Sequence, residues 1–308
     1  MEILRRQIAE VPGDEIGPLI AGSFFASPSF LNLWRVFGGV PVWWIARSGP
    51  EILAVTPGVE FGSGPFKRFQ STPNGCYSRA YVRSDDASQV SDIGRRMLAA
   101  IGSAGYAKVF INDFWGSFGD AEGFRKQMCE TRLVDIADPD WEPPDSKLRQ
   151  QIRRAEREGP APEVFEGTRH MEKFLHLVKL SEQRLGVKQK YSSAFFEALA
   201  AVAATDDRVQ WVWCEHESRP VASSIFLVEG EQVLHWQVYF DAAMAHLQAT
   251  KLIVFATARK LAATGVRRLN MGATPPEAEG SLEFKRKWGG DVYRYGILFK
   301  KSWVGRWL

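Results

Sequence analysis

The side chains best suited to chemistry cluster in the last quarter of the chain. The run Leu234-His235-Trp236-Gln237-Val238-Tyr239-Phe240 alternates as a strand does, which puts His235, Gln237 and Tyr239 on one face. An imidazole or a phenol there can act as general acid or base, and the strand's backbone donors can polarise a carbonyl laid along it. The competing account is a buried ring satisfied by one hydrogen bond. Asn270 and Gly272 close a short strand, Val266 to Met271, at the end where ligands sit in open α/β sheets. A turn that needs a glycine accounts for Gly272 equally well. Lys285 lies in Phe284-Lys285-Arg286-Lys287-Trp288-Gly289-Gly290, on a short amphipathic helix where an ordinary lysine is solvated.

These residues need a scaffold, and the second half of the chain supplies a readable one. Asp138-Pro139-Asp140-Trp141-Glu142-Pro143-Pro144-Asp145 cannot continue a helix or a central strand and reads as a connector. A basic helix follows from Lys147 to Glu158, with Leu148, Ile152 and Ala155 as its apolar stripe and Gly159-Pro160 as its stop. Thr168 is the expected cap of the next helix, which Gly186 ends, and Ser192-Ser193 open another. Three strands follow at Val209–Glu215, Val221–Val228 and Val233–Phe240, joined by hairpin-like turns at 217–220 and 229–232. An alanine-rich helix runs from about Ala245 to Thr264. Then come the strand that ends at Gly272, a helix from Ser281 to Trp288 and a last strand from Val292 to Lys300. Hairpins followed by a crossover imply a mixed sheet with helices on both faces.

The first half repeats this order more faintly. A helix at Ser29–Phe37, a hairpin of Val42–Arg47 with Glu51–Val59, and a strand at Tyr77–Arg83 precede a helix at Ala87–Ser103. Strands at Ala107–Asn112 and Thr131–Ile136 close it. The division expected is residues 1–140 and 141–308, each an α/β domain with a mixed, mostly antiparallel sheet flanked by helices.

With the element order and the Phe284-Lys285-Arg286-Lys287-Trp288-Gly289-Gly290 run written down, residues 145 to 300 resemble the FemAB-like group of the GNAT superfamily. That run is similar to the group's Phe-Lys-x-x-Phe-Gly signature, and the basic helix is similar to the one that opens its second domain. The resemblance implies tandem GNAT-like domains and transfer of an acyl or aminoacyl group to an amine, with the donor held by the second domain. It gives Lys285 the role of a fixed cation near the developing oxyanion or the leaving group. Trp236, Gln237, Gln248, Thr250, Lys251, Asn270 and Gly272 become the expected donor-binding residues. The chain departs from the GNAT pattern at Met244-Ala245-His246-Leu247-Gln248-Ala249-Thr250-Lys251, where the usual phosphate-cradling loop carries glycine and this one has none. The helix start still offers free N–H groups, and Lys251 adds charge.

Composition narrows the classes. The chain has 308 residues, 45% hydrophobic and 24% charged, as soluble globular proteins do. A net charge of +3 and a pI near 8.7 do not suit a dedicated nucleic-acid binder, so no DNA partner is expected. Cys76, Cys129 and Cys214 are scattered, which supports neither a disulfide framework nor a metal site. The chain opens without an apolar signal core and has no run of about 18 apolar residues, so a cytoplasmic protein is expected. The tail Lys300-Lys301-Ser302-Trp303-Val304-Gly305-Arg306-Trp307-Leu308 mixes cations and tryptophans as membrane-surface segments do, packing of the tryptophans being the rival account. The reading is an acyltransferase using acyl-CoA or acetyl-CoA and an amine-bearing acceptor attacking directly. Its rivals are an aminoacyl-tRNA donor and a non-catalytic binding protein on the same scaffold.

Overall fold

The computed structural model describes all residues except 74, 139, 187, 189, 276, 307 and 308, so Pro139 of the connector and the last two residues of the tail lie outside the described set. The chain forms two compact units, residues 1–130 with 294–308, and residues 131–293.

The first unit contains β1 (Glu2–Gln7), α1 (Gly13–Ile20), α2 (Pro28–Leu33), β2 (Val40–Ser48), β3 (Glu51–Phe61), β4 (Arg68–Gln70), β5 (Tyr81–Val82), α3 (Ala87–Ser103) and β6 (Lys108–Asp113). β7 (Arg125–Asp135) passes into the second unit. There follow α4 (Ser146–Glu158), β8 (Glu163–Val164), α5 (Gly167–Leu185), α6 (Ser193–Ala203), β9 (Val209–His216), β10 (Arg219–Glu229), β11 (Gln232–Phe240), α7 (Ala249–Ala262), β12 (Arg268–Asn270) and α8 (Glu279–Arg286). β13 (Asp291–Lys301) ends in the first unit.

One pairing scheme serves both units. In the first, β1-β2-β3-β4 are antiparallel, β4 pairs β6 in parallel, and β6 pairs β13 antiparallel. In the second, β8-β9-β10-β11 are antiparallel, β11 pairs β12 in parallel, and β12 pairs β7 antiparallel. In each case a helix, α3 or α7, bridges the parallel pair, as a parallel crossover demands. The mixed α/β fold expected from sequence is therefore present.

Local chemistry explains the elements. α4 starts at Asp145, whose carboxylate accepts the Leu148 N–H at 2.6 Å, and stops at Gly159. Its stripe of Leu148, Ile152 and Ala155 is buried in the core that includes Ile253, Val254 and Phe255 of α7. α5 ends at Gly186 in the left-handed conformation (φ 67°), but it starts at Glu166 with no side-chain cap. Thr168 is therefore not its cap. α6 is capped by Ser192, which accepts from Phe195 N.

Three expectations are corrected. The strand expected at Tyr77–Arg83 shortens to Tyr81–Val82, with Ser78 in an isolated bridge to Asp113. The hairpin loops are two residues each, Glu217-Ser218 and Gly230-Glu231, because Arg219–His216 and Glu229–Gln232 already pair. The alanine-rich helix is interrupted: a 3-10 turn (Ala242–Leu247) ends at Gln248, and α7 begins only at Ala249.

Candidate active site

In β11 the alternation is broken. Ile225 of β10 faces Gln237 and Phe226 faces His235, so Trp236 is the extra residue of a β-bulge. A bulge flips the faces beyond it. His235 stacks on Phe226 at 4.7 Å between ring centroids, in the core that packs on α7. Tyr239 packs edge-on against Phe174 of α5 and Phe196 of α6. The expected single face of His235, Gln237 and Tyr239 therefore does not exist: only Gln237 and Tyr239 share one, with the phenol donating to Gln237 Oε1 at 3.2 Å.

Neither ring has the environment of an open acid or base. His235 is 8% exposed, lies 3.3 Å from Ser224 Oγ, and burial together with the Lys285 charge lowers its pKa to about 3. Tyr239 is 1% exposed, and burial pushes its phenol well above the ordinary range. The imidazole is thus neutral and the phenol protonated at any physiological pH.

β11 pairs β12 only through Gln232, Val233 and Leu234. From His235 to Phe240 one edge of β11 has no strand partner among the described residues, because β12 ends at Asn270. Lys285 lies where this pairing ends. Its ammonium donates to Gly272 O at 2.7 Å, to Ala273 O at 3.2 Å and to Thr274 Oγ1. Burial pulls its pKa down to about 8. Gly272 has φ +73°, so its backbone favours glycine, while a Cβ there would meet His235 O and Lys285 Nζ only at ordinary contact distances of 3.4 and 3.9 Å. Asn270 is fully buried, and its Oδ1 accepts from Thr131 Oγ1 at 2.6 Å and Gly272 N at 2.9 Å. It fixes the turn.

Along the unpartnered stretch of β11 opens a cavity of about 830 Å³. Its floor is Val238 and Phe240 with Val221 and Ala222 of β10, one wall is Met244 and Ala245 with Gln248 to Lys251, and the opposite wall is Glu277 to Ser281 with Phe284. Gln248, Thr250 and Lys251 line it. Trp236, Gln237, Asn270, Gly272, His235, Tyr239 and Lys285 do not. Trp236 instead packs on Tyr191 and Phe195.

Gln248 supplies the left-handed residue that glycine usually provides, with φ 56°. Its amide donates to Ala245 O at 3.0 Å, and its Oε1 accepts from Lys251, which also reaches Gln151 Oε1 at 2.9 Å. Burial, then Lys287 and Lys147, lower the pKa of Lys251. No carboxylate pairs with it among the described residues. Sequence reading missed Arg184, a second cation in this cavity. Its guanidinium lies 3.9 Å from the Phe240 ring centroid and has no ion pair among the described residues. In sequence it is only a basic residue in a last helical turn, the commonest place for one.

The Phe284–Gly290 run also has structural duties. Trp288 is fully buried, and a Cβ on Gly290 (φ +75°) would lie 2.2 Å from Leu133 O. Arg286 and Lys287 pair with Glu283 at 3.0 and 3.5 Å, as surface charges do. The basic helix α4 is similarly neutralised, with Arg153 on Glu142 and Arg154 on Glu158. Among the described residues no group of three or more His, Cys, Asp or Glu gathers to hold a metal, and no helix is long and apolar enough to cross a membrane.

Residues 146–286 match the family model described as an acetyltransferase (GNAT) domain. That match supports a transferase. In fold it is similar to FemX, at 10% identity over 96% of this chain and 97% of that one, with a TM-score of 0.72. It is also similar to the C-terminal domain of a lysylphosphatidylglycerol synthetase from Agrobacterium fabrum, at 15% identity over 96% and 94%, TM-score 0.59. A tandem GNAT protein from the clavulanic acid biosynthesis pathway aligns at 12% identity over 97% and 98%, TM-score 0.54. At such identities the likeness is one of fold. No curated protein matches the sequence.

Proposed function

We propose that the second unit transfers an acyl group from acyl-CoA to the amine of an acceptor by direct attack. The observation that carries this reading is the 830 Å³ cavity beside the unpartnered edge of β11, walled by the start of α7 with Lys251. A helix start with a cation is suited to a pyrophosphate, and an apolar floor of Val221, Ala222, Val238 and Phe240 to an acyl chain. The acceptor nitrogen would add to the thioester carbonyl, and collapse of the tetrahedral intermediate would expel the thiolate. We assign the backbone of β11 near Gln237 to polarising the carbonyl and Lys285 to stabilising the developing negative charge. His235 and Tyr239 are then positioning groups, His235 stacking behind the bulge and Tyr239 orienting Gln237.

A covalent enzyme intermediate has little support. Cys214 is buried with its thiol pushed up to about 12, and burial also raises Cys129. None of Cys76, Cys129 and Cys214 is in a disulfide among the described residues. A second donor, aminoacyl-tRNA, is favoured by the similarity to FemX and by the glycine-free turn at Gln248, and its binding would fall steeply with salt. Calorimetric titration with acetyl-CoA and longer acyl-CoAs, on the native chain and on Lys251→Ala, tests the choice. Micromolar binding that Lys251→Ala weakens supports the CoA reading; no binding at high micromolar concentration overturns it.

A further inference from the structure

A row of like charges crosses three neighbouring strands of the first unit. Arg68 of β4 stands opposite Lys108 of β6, and Lys108 stands opposite Lys301 of β13. Like charges in directly opposed positions destabilise a sheet. None of the three has an ion-pair partner among the described residues, whereas the adjacent Lys67 is taken up by Glu60 at 2.8 Å. Desolvation and the charges of Lys301 and Arg68 hold the Lys108 ammonium below its ordinary pKa. The fold keeps this arrangement at a cost, with no ion pair among the described residues to offset it.

The main chain joins these strand ends into one rim. Ala107 N donates to Lys67 O at 2.7 Å, and Ser302 N donates to Ala107 O at 2.9 Å. The turn Gly64–Phe66 packs against the turn Val304–Arg306. On this rim Trp303 is 74% exposed and Phe66 54% exposed. The tryptophan at 303 is therefore not packed on the domain. Phe110, two residues along β6 from Lys108, is also exposed, and it stacks on Phe299 with centroids 6.0 Å apart.

We infer that this rim docks on an anionic phospholipid surface, with Arg68, Lys108 and Lys301 among the headgroups and Trp303 and Phe66 entering the interface. Unpaired cations are drawn to anionic lipid, each contributing about 1 kcal/mol near the surface. An exposed indole beside them has the preference for the headgroup layer that aromatic belts show. A single-stranded nucleic acid, the other polyanion to consider, needs open aromatic faces for its bases. Here the ring nearest the cation row, Phe110, already stacks on Phe299, and the exposed rings stand at the rim rather than in a groove.

Flotation of the full chain with phosphatidylcholine vesicles, with and without phosphatidylglycerol, tests this. Binding should require phosphatidylglycerol and decline as salt rises. The double substitution Lys108→Gln/Lys301→Gln should weaken partitioning roughly 25-fold, and Trp303→Ala should weaken it severalfold. Because the glutamines also remove cross-strand repulsion, the melting temperature should hold or rise, so weaker binding cannot be charged to unfolding. No binding to phosphatidylglycerol vesicles at low salt overturns the inference. So does undiminished binding by the double variant, or binding of an RNA oligonucleotide in place of vesicles.

Discussion

Glu60 in the first unit and Lys285 in the second are both ionisable groups held largely out of water, and their surroundings differ. Burial alone would push the Glu60 carboxyl up, but Arg5, Lys67 and Tyr106 all donate to it and together hold it below its ordinary value. Lys285 donates only to two carbonyls and a hydroxyl, with no acid to offset its desolvation. Lys251 and Arg184 repeat that pattern, meeting amides and a ring instead of carboxylates. A compensated charge serves the architecture of its own unit. Lys251 and Arg184, left without an ion pair among the described residues on a cavity that Glu277 and Glu279 also line, are open to negative charge arriving from outside.

The largest effect should come from Lys285. Lys285→Met should lower the transfer rate by at least about a hundredfold, the scale for losing one group aimed at developing charge. Acyl-CoA affinity should change little, since Lys285 lies outside the cavity wall. If the acting form is the ammonium, the ratio of native to Lys285→Met activity should fall as pH rises through about 8. A ratio that rises there would make the neutral amine a base and reverse the assignment. Stability carries the matching sign. Lys285 is protonated in both states below pH 8, so its desolvation cost is complete there, and the cost is relieved as pH climbs toward the unfolded value of 10.5. Lys285→Met should flatten that rise in a set of melts from pH 7.5 to 10.

Glu60→Gln should do the reverse, costing stability and sparing donor binding. Removing the carboxylate leaves Arg5 and Lys67 facing each other, and because both are partly hydrated the loss should be about 2 kcal/mol, below the range for a fully buried pair. The native contribution is present above the unfolded carboxylate range and is lost as pH falls through the depressed folded pKa. The gap in denaturant midpoint between native and variant should therefore be widest at pH 7 and narrow as pH falls below the ordinary carboxylate range. Next in size, Lys251→Ala and Arg184→Ala should each weaken acyl-CoA binding by about tenfold with melts unchanged. If either lowers stability as Glu60→Gln does, the contrast between the two kinds of charge fails.

How much of this was legible in the sequence depended on whether the side chains themselves carried the signal. α3, α4 and β9 to β11 were found nearly to the residue, because apolar spacing and Gly, Ser or Asp punctuation set their limits. β1 was missed because its half-exposed Glu-Ile-Leu-Arg-Arg-Gln reads as a polar terminus, and α1 because Gly13, Gly17 and Pro18 argue against a helix. The bulge at Trp236 left no trace, since the strand's composition alternates smoothly across it, and that one inserted residue moved His235 to the wrong face of the expected site. Gln248, Thr250 and Lys251 line the cavity, and they were legible because a helix start can bind anions through its backbone, whatever side chains it carries.

Gln248 offers the smallest and sharpest test. Its left-handed backbone costs a non-glycine residue roughly 1 kcal/mol, yet its side chain returns a hydrogen bond to Ala245 O and another from Lys251. Gln248→Gly relieves the strain and deletes both bonds, so the melting temperature should stay near native. The Lys251 ammonium would keep only Gln151 as a partner and be freer to meet a phosphate. Acyl-CoA should then bind as tightly as in the native chain, or a few times more tightly. Gln248→Ala keeps the strain and deletes the same bonds, so it should melt lower than the glycine variant by about 1 kcal/mol. Should Gln248→Gly instead lose donor binding, the glutamine amide itself would be a ligand group, and the glycine-free turn would mark a donor other than the one that glycine-bearing turns accept.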